Sequence, residues 1–307
     1  MPEKSENTYR FQVHPGTLYL CPTPLGNLGD ITLRTIEVLE QAEVILAEDT
    51  RRSRVLLTHL GLKKPMISYH EHNRKEKEPQ ILQFLQQGKT MALVTDAGMP
   101  GISDPGTDLV KLCLHHQCAF EVLPGPSAVL LALAASGLST ERFVFEGFLP
   151  RDKKSRRERL ASLSQEERTM VFYEAPHRIK ATLKEISMIM TDRSAAVGRE
   201  LTKIHETWYR DTLSGILLQL EQDKNGLRGE MVLVVAGRSR EEREQGLNEA
   251  FSHQTVEAHV MELMEKGMDK KAAIKEVSRQ RNMPKRDVYR HVVNVEGDDV
   301  DFSHGRK

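Results

Sequence analysis

Residues 91–106 read MALVTDAGMPGISDPG. The first five are almost continuously apolar, and such a run bounded by turn residues predicts a strand covered on both faces. The eleven that follow, Asp96 to Gly106, hold three glycines and two prolines. That composition leaves no regular hydrogen bonding, so the loop's N–H and C=O groups need tight turns, water or a ligand. A buried strand running into such a loop is the repeating unit of an open α/β sheet, where ligands gather at the carboxyl ends of strands.

The same unit recurs outward from this stretch. Residues 17–21 (TLYLC), 44–47 (VILA) and 119–123 (AFEVL) predict further strands, with helical spacing over 33–41, 51–60, 80–87 and 106–116. Strands this apolar, alternating with helices, predict an α/β sheet with much parallel pairing. Pro124-Gly125-Pro126 breaks the chain, and residues 127–136 resume as an apolar helix. A second series follows, with strands at 143–146, 170–173, 195–199, 205–209 and 231–236 and helices at 156–163, 177–190 and 213–222. It predicts a smaller, mixed α/β domain. The expected organisation is an α/β domain over 15–124, a second over 125–237, a charged linker over 238–250 and a small basic helical domain over 251–295.

Charge divides the last part sharply. Residues 238–265 hold three basic and seven acidic side chains, whereas residues 266–290 hold nine basic and three acidic ones. Within the basic segment, Asn282 marks a break and Pro284 opens a second short helix, which fits helix-turn-helix geometry. An RNA-touching module and a helical cap on an oligomer are equally compatible with that pattern.

Composition narrows the function classes. The 307 residues suit two domains plus extras, and 44 Lys+Arg balance 44 Asp+Glu, so nucleic-acid binding would need a local patch. The longest strongly apolar stretch, AVLLALAA at 128–135, is far short of the roughly 20 residues that span a bilayer. The first fifteen residues lack an apolar core, so no signal peptide is expected. Cys21, Cys113 and Cys118 form no CxxC pair, and a reduced, cytoplasmic protein without a membrane partner is expected. His70 and His72 lack a further matched ligand, so no metal is expected.

Two more loops join the first. Residues 22–30, PTPLGNLGD, follow the first strand, with Gly26 and Gly29 permitting a tight turn and Asp30 able to cap a helix. The spacing is not GxGxxG, which leaves a dinucleotide site weakly supported. Residues 124–128, PGPSA, sit at another strand end before a helix N-terminus. Three such loops at successive strand ends mark a binding cleft.

Taken together, TPLGNLGDIT (23–32), AEDTRRS (47–53), YHEHN (69–73), TDAGMPGISDPG (95–106), LPGPSA (123–128), GFLPR (147–151), FYEAPHR (172–178), GRELTKIHE (198–206) and RGEMVLVVAG (228–237) carry a resemblance. The chain resembles the tetrapyrrole-methylase-fold, or class III, S-adenosylmethionine methyltransferases. Within them it is similar to the bacterial branch that methylates a cytidine ribose 2′-hydroxyl in 16S rRNA of the small ribosomal subunit. The resemblance implies two α/β domains with a cofactor cleft between them, plus a small C-terminal helical domain. It implies S-adenosylmethionine as cofactor, held by Leu25, Asp96, Gly98, Met99, Ile102, Ser103, Ser127, Ala128, Tyr173, Leu201 and Met231. Met99 and Gly101 stand where Thr and a larger aliphatic would be expected. It also implies ribosomal RNA or an assembled small subunit as partner, and a homodimer.

A ribose hydroxyl is a feeble nucleophile, so a base or a charge that stabilises the developing alkoxide is needed beside it. Polar clusters at 48–51, 70–73, 174–178 and 199–206 supply candidates. Lys203 is expected to stabilise the alkoxide or bind a phosphate, with Glu200 or Asp49 as base. Expected RNA contacts are Arg51, His177 and Arg178, and Lys153, Lys154, Arg156 and Arg157 of the basic run 151–159. Two alternatives are a tetrapyrrole-precursor C-methyltransferase of the same fold and a non-enzymatic nucleic-acid-binding regulator. The first has no need of the basic segments, and the second leaves the three loops unexplained.

Overall fold

A computed structural model describes residues 11–223, 226–239, 242 and 253–296. The chain divides between Gly237 and Arg238 into two compact units.

Five wholly apolar or nearly apolar segments build the first sheet. They are β1 (Thr17–Cys21), β2 (Val44–Ala47), β3 (Met66–Ser68), β4 (Met91–Val94) and β5 (Ala119–Val122), all parallel, in the order β3-β2-β4-β1-β5. Helices α1 (Leu33–Gln41) and α2 (Thr50–His59) cover one face, with Val38, Leu39 and Leu57 packed on Tyr19, Ile45 and Val94. The other face is covered by α3 (Arg74–Gln86) and α4 (Gly106–His115), through Ile81, Leu85, Leu109 and Cys113 on Leu18, Leu46 and Leu93. Burial on both faces is why β1, β2 and β4 read as unbroken apolar runs rather than alternating ones. Strand β3 escapes that signal because it is a three-residue edge strand, half-buried throughout. Helix α3 begins six residues before its expected start. Pro79, just before that expected start, sits inside the helix and forfeits one intrahelical bond.

The chain leaves β1 toward one face and its neighbour β4 toward the other, so a crevice opens between their carboxyl ends, the place where open α/β sheets bind ligands.

The second sheet is mixed. Its strands are β6 (Phe143–Phe148), β7 (Thr169–Glu174), β8 (Ser194–Arg199), β9 (Thr207–Thr212) and β10 (Met231–Val235), in the order β6-β7-β10-β8-β9. Only β6 and β7 pair in parallel. Helices α6 (Lys153–Leu163), α7 (Ile179–Met190) and α8 (Leu213–Gln222) bury one face. Helix α5 (Ala128–Ala135), which follows the Pro-Gly-Pro break, packs on the opposite face through Val129, Ala132 and Leu133.

The second unit has three helices, α9 (Val256–Glu265), α10 (Lys270–Gln280) and α11 (Lys285–Glu296). Val260, Leu263, Ile274, Val277 and Val288 form its core. Asn282 takes φ 51° at the break between α10 and α11, a left-handed conformation that asparagine tolerates. Most of the expected linker over 238–250, and the first two residues of the expected domain over 251–295, lie outside the described residues. Among the described residues no helix is long and apolar enough to cross a membrane.

Candidate functional site

The three glycine- and proline-rich loops interlock. Thr23 and Gly98 exchange both backbone hydrogen bonds at 2.9 Å, and the Thr23 hydroxyl donates to the Thr95 carbonyl at 3.1 Å. Gly98 has φ +84°, and a Cβ there would meet Leu25 Cδ2 at 3.1 Å and the Pro126 carbonyl at 3.7 Å. At Gly125 a Cβ would lie 2.6 Å from Pro22 Cβ. Glycine at these two positions lets three backbones approach as close as they do.

Asp104 holds the middle loop in shape. Its carboxylate accepts from the backbone N–H of Gly101 (2.9 Å), Ile102 (3.2 Å) and Gly106 (2.7 Å). Ser103 takes φ 64° and lies against Gly147 of β6, where a Cβ would meet Ser103 Oγ at 3.4 Å. The middle loop thus reaches the second sheet. That side contributes buried Leu201 and the half-buried Tyr173 ring, 4.9 Å from Phe145 and 5.4 Å from Phe148, whereas the expected Met231 turns its side chain into the core on the sheet's other face. Met99 is half-buried, Ile102 is exposed, and Ser127 caps α5 without a side-chain bond of its own to the helix, with Ala128 next to it.

Lys203 crosses from the second sheet to the first loop. It sits in the β8–β9 turn, where Glu200 and Thr202 take φ 54° and 67°. Its stem lies on Gly26, where a Cβ would come 2.5 Å from Lys203 Cγ. Its ammonium donates to Glu200 Oε1 at 2.9 Å and to Glu230 Oε2 at 3.2 Å. Burial pulls the Lys203 pKa down, but the two carboxylates outweigh it and the net shift is upward. For Glu200, burial opposes ionisation, and the Lys203 ammonium and the Glu230 N–H reverse it into a downward shift. Glu206, at the far end of the turn, accepts from Thr202 N–H at 2.7 Å and Trp208 Nε1 at 2.8 Å, closing it. Glu230 is the partner that sequence spacing missed, because it comes from the start of β10, 27 residues along the chain.

On the other side of the first loop lie carboxylates. Asp49 is the N-cap of α2. It accepts from Arg51 N–H at 2.8 Å and pairs with the Arg51 guanidinium at 2.7 Å, which holds its carboxyl far below the usual range. Asp96 accepts from Asp49 N–H at 3.2 Å and pairs with Arg52 at 3.1 Å. Glu48 accepts from the Thr95 hydroxyl at 3.3 Å, and burial together with the nearby Asp96 and Asp104 charges raises its pKa. Asp49 is therefore the poorer proton acceptor of the adjacent pair, and Glu48 the better one. Between this side and the first loop is a cleft of about 150 Å³, whose walls include Thr23, Gly26, Leu28, Arg52, Ser53 and Val55.

The expected RNA contacts separate into two groups. Arg156 forms a two-bond pair with Glu185 at 2.5 and 3.1 Å, both side chains largely buried, and donates to the Arg151 carbonyl at 3.1 Å. Arg178 donates to the Leu149 carbonyl at 3.0 Å and pairs with buried Glu174 at 3.4 Å. These two guanidiniums pin the chain at 149–151, so each has a structural task that charge patterning does not reveal. Lys153, Lys154, Arg157 and His177 are exposed, as is Arg51 apart from its Asp49 pair. In the YHEHN turn, Asn73 accepts from His70 N–H at 2.9 Å and donates to the Ser68 carbonyl at 3.0 Å.

Residues 17–217 match the family of tetrapyrrole (corrin/porphyrin) methylases. A Synechocystis protein is 43% identical over 284 residues, covering 92% of this chain and 99% of its own length. A Bacillus subtilis protein is 43% identical, covering 89% of this chain and 93% of its own. Both are named ribosomal RNA small subunit methyltransferase I. Among solved structures, a cobalt precorrin-4 methyltransferase is similar at TM-score 0.54 and 20% identity, over 72% of this chain and 95% of its own. A Thermus thermophilus uroporphyrin-III C-methyltransferase complexed with S-adenosylhomocysteine is similar at TM-score 0.52 and 19% identity, over 72% of this chain and 97% of its own. At such identities the likeness is one of fold. The chain belongs to the tetrapyrrole methylase family.

Proposed function

We propose that the protein is an S-adenosylmethionine-dependent methyltransferase acting on the 2′-hydroxyl of a cytidine ribose in 16S rRNA. The supporting observation is its close similarity, over nearly the whole chain, to proteins named for small-subunit RNA methylation. The tetrapyrrole methyltransferases share only the fold.

The residues present fit the cofactor. Gly98 leaves a backbone cradle that a Cβ would fill against Leu25, and Leu201 and Tyr173 offer an apolar wall; Met231 can offer only its backbone, because its side chain is packed in the core on the sheet's other face. Leu25, Asp96, Gly98, Met99, Ile102, Ser103, Ser127 and Ala128 would hold it from the loop side. When bound, S-adenosylmethionine supplies an electrophilic methyl group on its sulfonium.

The chain's own groups then divide the work. Lys203 stays an ammonium at neutral pH and presents charge to the acceptor oxygen as it loses its proton. Glu200 and Glu230 fix where that ammonium points. Glu48, with its raised proton affinity, takes the proton at its carboxylate, a task better suited to it than to Asp49. Lys153, Lys154, Arg157 and His177 contact RNA phosphates around the site. The working species is a homodimer in the cytoplasm, and its substrate is ribosomal RNA or an assembled small subunit. Incubation with labelled cofactor and small subunits, followed by nucleoside digestion, should yield labelled 2′-O-methylcytidine. Label on a base, or no transfer to RNA, would contradict the proposal.

A further inference from the structure

The cleft between α2 and the first loop borders the expected cofactor site, sharing Asp96 with it and none of the other ten cofactor residues. Its volume of about 150 Å³ falls below the roughly 300–1,000 Å³ in which cofactor-sized ligands are enclosed. One small ring with its sugar suits it better.

The walls of the cleft combine three chemistries. Arg52, Val55 and Leu56 share a face of α2 at spacings of three and four residues, and Leu28 stands across from them. Val55 is 69% exposed and Leu28 39%, so two aliphatic side chains flank an open mouth without covering one another. Ser53, also in the wall, is buried, and its hydroxyl has no hydrogen-bond partner. A buried hydroxyl left unpaired is costly unless a ligand or water completes it. Three guanidiniums stand exposed in the first turns of α2: Arg51, paired with Asp49; Arg52, paired with the wall residue Asp96; and Arg54. Aliphatic walls beside guanidiniums suit a nucleobase on a phosphate strand, since recognised RNA bases are usually splayed out and packed against side chains.

The cleft also adjoins both groups assigned to the chemistry. Gly26 lines it and carries the Lys203 stem, while Thr95 lines it and bonds Glu48.

We infer that this cleft receives the acceptor nucleotide itself, a single pyrimidine ribonucleotide extruded from its strand. Val55 and Leu28 hold the base, and the α2 arginines hold the adjoining phosphates. The inference rests on the proposed ribose methyl transfer.

Val55→Asp and Leu28→Asp test it, with Leu114→Asp, at an exposed position on α4 outside the cleft, as control. Val55→Asp and Leu28→Asp should each raise the RNA concentration giving half-maximal single-turnover transfer by about tenfold or more, the loss expected from one aliphatic contact. Calorimetric affinity for S-adenosylmethionine and the melting temperature should stay at wild-type values in both, and Leu114→Asp should transfer normally. Unchanged half-saturation in both cleft variants overturns the assignment. So does a parallel loss of cofactor affinity, which would give the cleft to the cofactor. A wild-type protein that methylates no RNA would instead sink the functional reading beneath it.

Discussion

Glu48 and Asp49 are adjacent carboxylates at the end of β2, and the structure gives them opposite tasks. Asp49 spends its oxygens on the α2 N-terminus and Arg51, while Glu48 faces Thr95, Asp96 and Asp104. Sequence alone brought both into one polar cluster but could not separate them, because which one caps the helix is set by φ and ψ rather than by residue type. The raised pKa of Glu48 has a definite sign. Folded Glu48 binds a proton more tightly than the unfolded chain does, so its contribution to stability is present at acid pH and is lost as pH rises through its folded pKa. Glu48→Gln should therefore melt higher than wild type at neutral pH. It should also lose about 10²–10⁴-fold in methyl transfer, along with the rise of rate with pH that a base produces. A variant with an intact rate–pH profile would remove Glu48 from proton transfer.

Lys203 sets a second expectation at this scale. Lys203→Ala should slow single-turnover transfer by about 10²-fold or more, the scale of one electrostatic group, with cofactor affinity little changed. Lys203→Arg should regain RNA binding but little turnover, since a guanidinium keeps the charge and misplaces it. Normal turnover per folded molecule in Lys203→Ala, with only a lower melting temperature, would reduce the residue to its ion pairs with Glu200 and Glu230.

At the scale of elements, most of the fold was legible. Strands β1, β2 and β4 announce themselves because burial on both faces removes polar residues from them, and helix α1 is recovered from its apolar spacing. The three loops at the strand ends were legible for the converse reason: their glycines and prolines admit no regular structure. Hidden from the sequence were β3, too short and half-exposed to show a pattern, and the start of α3 behind Pro79. Charge also misled around α6. Six basic residues in 151–159 read as one run of RNA contacts, yet Arg156 is drawn inward by Glu185, 29 residues away on α7. Arg156→Ala should cost about 2–3 kcal/mol, because it leaves a largely buried carboxylate with only the longer 3.9 Å pairing to Arg157. Lys154→Ala should change stability by less than about 0.5 kcal/mol. Urea unfolding of the two variants decides it, and equal midpoints would contradict the structural task given to Arg156.

At the scale of the whole molecule, the chain divides between Gly237 and Arg238, where its composition turns charged. The net charge of zero conceals a basic stretch within the second unit, where residues 266–290 hold nine Lys and Arg against three acidic residues. Truncation after Gly237 should leave a folded protein with unchanged cofactor affinity. Its RNA affinity should fall and its salt dependence become shallower, as fewer counterions are released on binding. Equal salt slopes for the truncated and intact proteins would make the helical unit a cap rather than an RNA contact. Ribose methylation of a small-subunit cytidine can be read by mapping 2′-O-methylation across 16S rRNA from parent cells, cells lacking this protein and cells in which the wild-type chain is restored. The mark should vanish at one cytidine in the deletion strain and return on restoration, whereas a map identical in all three strains would rule the activity out.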